Sequence, residues 1–228
     1  MNETRKFALE TALRERPLVA ILRGITPEEI DAVFDALVTA GFKLIEIPLN
    51  SPRAWDSIAA IAGRCPDDVV IGAGTVLDPA HAERLADLDA PLLITPNTDP
   101  EVIRAGVEHG LAPMIGCMTP SEALAAAKAG ATALKLFPAA RLGTGYFKDI
   151  NAILPKGLPV LAVGGIDQSN MSEWHAHGVA GFGFGSNLYK PGRSADEVGR
   201  IAAELVEEWQ RLSEVAHYAD QLEREADA

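Results

Sequence analysis

Cysteine is scarce in this chain: Cys65 and Cys117 are the two thiols in 228 residues. Their positions match no redox or metal-ligand spacing, and a reducing, cytoplasmic setting is the simple reading. No histidine stands near Cys117 in the sequence, so a small buried thiol is expected there rather than a nucleophile. Long apolar runs are missing as well. No window approaches 18 consecutive apolar residues, so no membrane-spanning helix is expected. The opening stretch, MNETRKFALETALRER, is charged and helix-like and lacks the apolar segment of a signal peptide. Positive charge is in deficit: 20 Lys and Arg stand against 32 Asp and Glu, a formal net charge of −12. That balance argues against nucleic-acid and membrane partners. It leaves open an anionic small substrate at a locally positive site.

What the chain does have is apolar residues in quantity, 48% of the total, with 23% charged. That suits one compact domain with a sizeable core. A short polar residue followed by proline recurs at Thr26-Pro27, Ser51-Pro52, Asp78-Pro79, Asp99-Pro100 and Thr119-Pro120. Each pair reads as a helix start, with an N-cap oxygen and then proline at the first helical position. Two extend to capping boxes, Thr26-Pro-Glu-Glu29 and Thr119-Pro-Ser-Glu122. Ile30, Val33, Phe34, Leu37 and Val38 then fall on one helical face, and Gly41 closes that helix. Comparable stops stand at Gly110, Gly130 and Gly178.

Between these helices lie eight short apolar runs, at 17–22, 44–49, 69–74, 92–97, 112–117, 133–138, 160–165 and 181–186. They are apolar throughout rather than alternating, as strands covered on both faces should be. Eight strands, each followed by a helix-length segment, predict a (β/α)₈ TIM barrel, with a doubly wound open sheet as the alternative. The sixth unit is the least regular, because AARLGTGYFKDINAILP opens Gly-rich. Residues 2–15 predict an extra N-terminal helix. The barrel domain is expected over 1–212, and residues 213–228 as a helical or mobile tail.

Such barrels carry their chemistry at the C-terminal strand ends. Few polar residues interrupt those ends: Arg23, Glu46, Asn50, Thr75, Asn97, Lys135, Ser186 and Asn187. Lys135 sits inside Ala-Leu-Lys-Leu-Phe-Pro. Desolvation there would favour the neutral amine, the form that attacks a ketone to make a Schiff base. The plain alternative is a strand-end lysine whose head reaches water. Glu46, inside Leu-Ile-Glu-Ile-Pro, is a proton shuttle or half of a structural ion pair. Arg23 at the end of the first run suits a carboxylate or phosphate, or is an ordinary surface arginine. Val163-Gly164-Gly165 and Phe184-Gly185-Ser186-Asn187 end the seventh and eighth runs, where barrels commonly bind phosphate. The five histidines, His81, His109, His175, His177 and His217, fall in helix-like segments or the tail. No metal site is therefore expected. This weighs against metal-dependent aldolases and sugar-phosphate epimerases. A metal-free isomerase and a silent phosphate-binding barrel remain as other readings.

Ala-Ile-Leu-Arg-Gly (20–24), Gly-Ala-Gly-Thr-Val (72–76), Ile-Thr-Pro-Asn (94–97) and Leu-Lys-Leu-Phe-Pro (134–138) together resemble the 2-keto-3-deoxy-6-phosphogluconate aldolase family. The resemblance runs from about Pro17 to Leu212. It implies a class I aldolase on a (β/α)₈ barrel, with Lys135 as the Schiff-base lysine and Glu46 as general acid/base acting through a water. It implies that Arg23 and Thr75 hold the pyruvate carboxylate region and that Pro96 and Phe137 shape the pocket. Gly164, Gly165, Gly185 and Ser186 would take the phosphate of a phosphorylated 2-keto acid. It also implies a homotrimer that needs no metal or cofactor. Two positions depart from the gluconate pattern. Asn50 stands where an arginine is usual, and Val163 where threonine is usual. Both features look like the 2-keto-3-deoxy-6-phosphogalactonate branch. The two substrates are C4 epimers, and a valine cannot hydrogen-bond a C4 hydroxyl as a threonine can.

Overall fold

The computed structural model describes residues 1–226, with side chains to residue 217. A helix, α1 (Glu3–Glu15), precedes the first strand, β1 (Leu18–Ile21). The chain then alternates: α2 (Ile30–Ala40), β2 (Leu44–Pro48), α3 (Ala54–Ala62), β3 (Val70–Gly74), α4 (His81–Asp87), β4 (Leu92–Ile94) and α5 (Pro100–Glu108). It continues through β5 (Ala112–Cys117), α6 (Pro120–Ala129) and β6 (Ala133–Leu136). The irregular sixth unit resolves into two short helices, α7 (Ala139–Leu142) and α8 (Thr144–Asn151). Then come β7 (Val160–Val163), α9 (Met171–Ala176), β8 (Gly181–Phe184) and a long α10 (Ala195–Ala226). The eight strands pair in parallel, in sequence order, and β8 closes on β1. The architecture is a TIM barrel, not an open sheet.

All eight predicted strands are present; the fifth keeps its predicted bounds, and the others are trimmed by one to three residues where the chain turns into a loop. Strand parity separates two cores. Val19, Ile21, Leu44, Val70, Leu92, Ile94, Met114 and Leu161 fill the barrel interior. Their strand neighbours, such as Leu18, Ala20, Ile45, Ile71 and Leu134, pack outward under the helices. Successive side chains on a strand face opposite ways. That is why the runs look uniformly apolar while still having an inside and an outside. The apolar stripe of α1, Ala8, Leu9 and Ala12, joins the interior core. Arg5 on the same helix is buried and donates to the carbonyls of Cys65, Pro66 and Val69. It satisfies the loop that leads into β3 and ties α1 down.

The five polar-proline pairs divide. Asp99 and Thr119 cap their helices with proline at the first position, and Thr119 with Glu122 closes a full capping box. Glu29 accepts from the Thr26 amide and hydroxyl, yet regular helix begins one turn later, at Ile30. Asp78 accepts from the Ala80 amide, and α4 follows from His81. Ser51 is not an N-cap at all. Its hydroxyl accepts from the Gly24 amide at 2.9 Å, and α3 starts after Arg53. The predicted boundary at residue 212 has no backbone break, because α10 runs through it to Ala226. Residues 227 and 228 of the expected tail lie outside the described residues.

Candidate active site

Glu46 and Lys135 belong to the interior face of the barrel by parity. Glu46 follows Leu44 on β2, and Lys135 follows Ala133 on β6; both earlier residues are in the interior core. In a ring of eight strands, β2 and β6 stand opposite each other. Two polar side chains thus enter the interior at the upper end of an apolar stack. Both are buried, Glu46 at 1% exposure and Lys135 at 7%. No ion pair within 4.0 Å joins them, and Glu46 Oε2 is buried without a hydrogen-bond partner. A space of about 10 Å³ touches both residues, walled mainly by apolar side chains. That is about the size of one water molecule.

Burial controls the titration of the pair. It raises the Glu46 carboxyl above the ordinary glutamate value, against the pull of the Lys135 and Arg23 cations. It lowers the Lys135 ammonium, with Glu46 opposing and Arg23 assisting. Both groups are pushed toward their neutral forms. Gly74 on β3 makes room for this arrangement. A Cβ there would lie 1.4 Å from Glu46 Oε2.

Above the pair opens a cavity of about 1050 Å³ at the C-terminal face. Lys135 forms part of its floor, and Phe137 stands beside it, with the ammonium 5.5 Å from the ring centroid. Pro96, Thr75 and Arg23 line one side. Arg23 Nη1 donates to Asn50 Oδ1 at 2.8 Å, and Nη2 reaches Thr75 Oγ1 at 3.5 Å. Thr75 has φ of 55°, a left-handed backbone that β-branched residues rarely adopt and that clusters at functional sites. Val163, Gly164, Gly165, Gly185 and Ser186 line the opposite side. Of the eleven residues assigned to the site from the sequence, ten therefore share one cavity, and Glu46 lies beneath it. Asn97 does not line it. Its carbonyl accepts from Thr95 Oγ1 in the loop after β4.

Asp167, Asn187 and Lys190 also line the cavity, and none of them was given a role from the sequence. Asn187 was visible as a polar strand-end residue. It donates to the Ile166 carbonyl at 2.8 Å and so ties the loops after β7 and β8 together. Asp167 and Lys190 lie further along those loops, beyond the reach of a strand-end criterion. Cys117 is buried and its thiol is pushed up to about 12, chiefly by burial and then by Glu122. A thiol so held is no nucleophile at neutral pH. Among the described residues, no cluster of three or more His, Cys, Asp and Glu could hold a metal ion. No helix among them is long and apolar enough to cross a membrane.

Residues 9–203 match the aldolase family described as KDPG and KHG aldolase. The chain belongs to that family. A probable 2-dehydro-3-deoxy-6-phosphogalactonate aldolase of Rhizobium meliloti (strain 1021) is 50% identical over 188 residues, covering 82% of this chain and 89% of the relative. The 2-dehydro-3-deoxy-6-phosphogalactonate aldolase of Escherichia coli (strain K12) is 46% identical over 190 residues, covering 83% and 93%. A solved structure described as native KDPGal superimposes with a TM-score of 0.85 at 44% identity, covering 87% of this chain and 96% of that one. The family match extends over all eight strands of the barrel, so the cavity and the buried pair lie within the part of the chain that is shared.

Proposed function

We propose that this protein is a class I aldolase that cleaves 2-dehydro-3-deoxy-6-phosphogalactonate to pyruvate and D-glyceraldehyde 3-phosphate. The observation that carries the reading is the buried Lys135, with its pKa lowered, in the floor of an open cavity beside an unpaired buried carboxyl. The neutral Nζ lone pair attacks the C2 ketone and forms a C–N bond. Loss of water from the carbinolamine leaves an iminium. Glu46, through one water, gives the proton that lets the carbinolamine hydroxyl leave as water, and the carboxylate so formed then takes the proton of the C4 hydroxyl. The electrons of the C3–C4 bond move into the iminium, giving a pyruvate enamine and releasing the triose phosphate. Protonation at C3 and hydrolysis then free pyruvate and restore Lys135.

Arg23 and Thr75 receive the substrate carboxylate in this reading. Gly164, Gly165, Gly185 and Ser186 receive the phosphate. Gly164 and Gly165 have φ of 95° and 76°, and a Cβ at Gly165 would lie 2.7 Å from Ala140 Cβ. Only glycine fits that turn, which is the kind that brings backbone amides close to an anion. Val163 lines the cavity without a polar group, which favours the galactonate epimer over one whose C4 hydroxyl needs a partner. The comparison with the two 2-dehydro-3-deoxy-6-phosphogalactonate aldolases points the same way.

A homotrimer in the cytoplasm completes the proposal. Leu77 and Met118, in the loops after β3 and β5, are 56% and 45% exposed. Large apolar side chains grouped on one end of a barrel are the kind of surface that subunits cover.

Borohydride reduction in the presence of pyruvate, followed by peptide mass spectrometry, tests the mechanism. A reduced pyruvate adduct on Lys135 is the expected result. Active, folded protein that yields no adduct would sink the Schiff-base reading. Comparing kcat/KM for the two C4 epimers tests the substrate. A clear preference for the gluconate epimer would overturn the galactonate assignment and leave the lyase intact.

A further inference from the structure

Arg23 lies on the exposed loop after β1, yet its guanidinium is not free. Asn50 Oδ1 accepts from Nη1 at 2.8 Å. The adjacent Ser51 is buried, and its hydroxyl accepts from the Gly24 amide at 2.9 Å. The dipeptide Asn50-Ser51 therefore grips the dipeptide Arg23-Gly24 at two points, one on the side chain and one on the backbone. Thr75 adds a longer third contact, at 3.5 Å to Nη2. These contacts come from the loops after β2 and β3, so three neighbouring barrel units converge on one guanidinium.

An unrestrained arginine on a loop has many rotamers, and fixing one on binding costs entropy. A partner that holds it in advance removes that cost. The partner's chemistry matters too. An amide oxygen accepts the hydrogen bond and leaves the positive charge whole, whereas a carboxylate would spend it before an anionic ligand arrived. Asn50 is an exposed polar residue outside the core, and its side-chain oxygen accepts from Arg23.

We infer that Asn50 is a positioning residue whose amide oxygen presets the Arg23 guanidinium for the carboxylate of the keto acid. The inference rests on the Schiff-base aldolase reading above. It assigns Asn50 no contact with the reacting atoms. Arg23 also lowers the pKa of both Lys135 and Glu46. Releasing it should therefore be visible in titration as well as in binding.

The test is a double-mutant cycle on the full chain, with pyruvate as the varied substrate in the condensation direction. Asn50→Ala should raise the KM for pyruvate about ten-fold, the usual worth of a charge-assisted hydrogen bond, with the loss falling on KM more than on kcat. The acid limb of its kcat/KM profile should move to higher pH, because an Arg23 released from Asn50 is held less firmly near Lys135 and Glu46. Asn50→Gln, which keeps an amide oxygen on a longer arm, should recover most of the loss. In an Arg23→Ala background, adding Asn50→Ala should change nothing further. A wild-type KM and pH profile in Asn50→Ala would overturn the inference, as would an equal penalty with and without Arg23. Borohydride trapping of the wild-type protein, run alongside, separates the two failures. Absence of a Lys135 adduct there removes the aldolase reading and this inference together. An adduct with no effect of Asn50→Ala removes this inference alone.

Discussion

Burial moves Lys135 and Glu46 in opposite directions on the pH scale, and both shifts carry a stability cost at neutral pH. For Lys135, whose folded value is depressed, the favourable contribution is present above the ordinary value of 10.5 and is lost as pH falls. For Glu46, whose folded value is raised, it is present below the ordinary value of 4.5 and is lost as pH rises. Between those two values both costs are felt. Replacing both residues with apolar side chains of similar volume, as in Lys135→Met with Glu46→Leu, should abolish turnover and stabilise the fold by about 1–4 kcal/mol. Thermal melts across pH 5 to 10 should show the double variant melting above the parent, with a flatter dependence on pH. A double variant that melted lower throughout would mean that the pair supports the barrel rather than burdening it. The chemical identity of this pair was legible in the sequence, because a lysine and a glutamate interrupt otherwise apolar strands. Their separation and lack of a direct ion pair were not, since these depend on which strands face each other.

Strand β3 shows how an element can serve a site without supplying a reactive group. Gly72 and Gly74 both face inward by parity with Val70. A Cβ at Gly72 would meet the Leu92 carbonyl at 2.0 Å, so that glycine lets β3 and β4 approach. A Cβ at Gly74 would meet the Glu46 carboxyl instead. Gly185, in the loop after β8, has nothing within 4 Å of its Cβ position. The three glycines look alike in sequence and should behave differently. Gly74→Ala should lose activity by displacing Glu46. Gly185→Ala should keep its melting temperature and lose affinity for phosphorylated substrate. Circular dichroism melts beside kinetics on phosphorylated and unphosphorylated aldehyde separate the cases. A Gly185→Ala enzyme with unchanged KM for the phosphorylated aldehyde would move the phosphate elsewhere. The helix starts carry the same lesson. Thr119 and Asp99 cap as their sequence suggests, but Ser51 is drawn away to Gly24 by a contact 27 residues distant. A local signature loses to a tertiary hydrogen bond whenever the fold brings a better partner within reach.

At the scale of the molecule, α1 closes the lower end of the barrel and α10 packs along its side. Trp209 of α10 donates its indole N–H to the Glu15 carbonyl at 2.9 Å, joining the two helices near the chain ends. Among the described side chains, Leu212 is the last of α10 in the buried core, and Val215 beyond it is exposed. The eight-fold alternation, the two-faced burial of the strands and the presence of a buried lysine and glutamate all follow from local composition. They depend on residues a few positions apart, and the sequence by itself determined them. Closure of β8 on β1 was decided only by tertiary structure. So were the meeting of β2 and β6 side chains over one small space and the grip of Asn50-Ser51 on Arg23-Gly24. Each of these joins residues far apart along the chain, and such contacts exist only once parallel strands and their twist have bent the sheet into a ring.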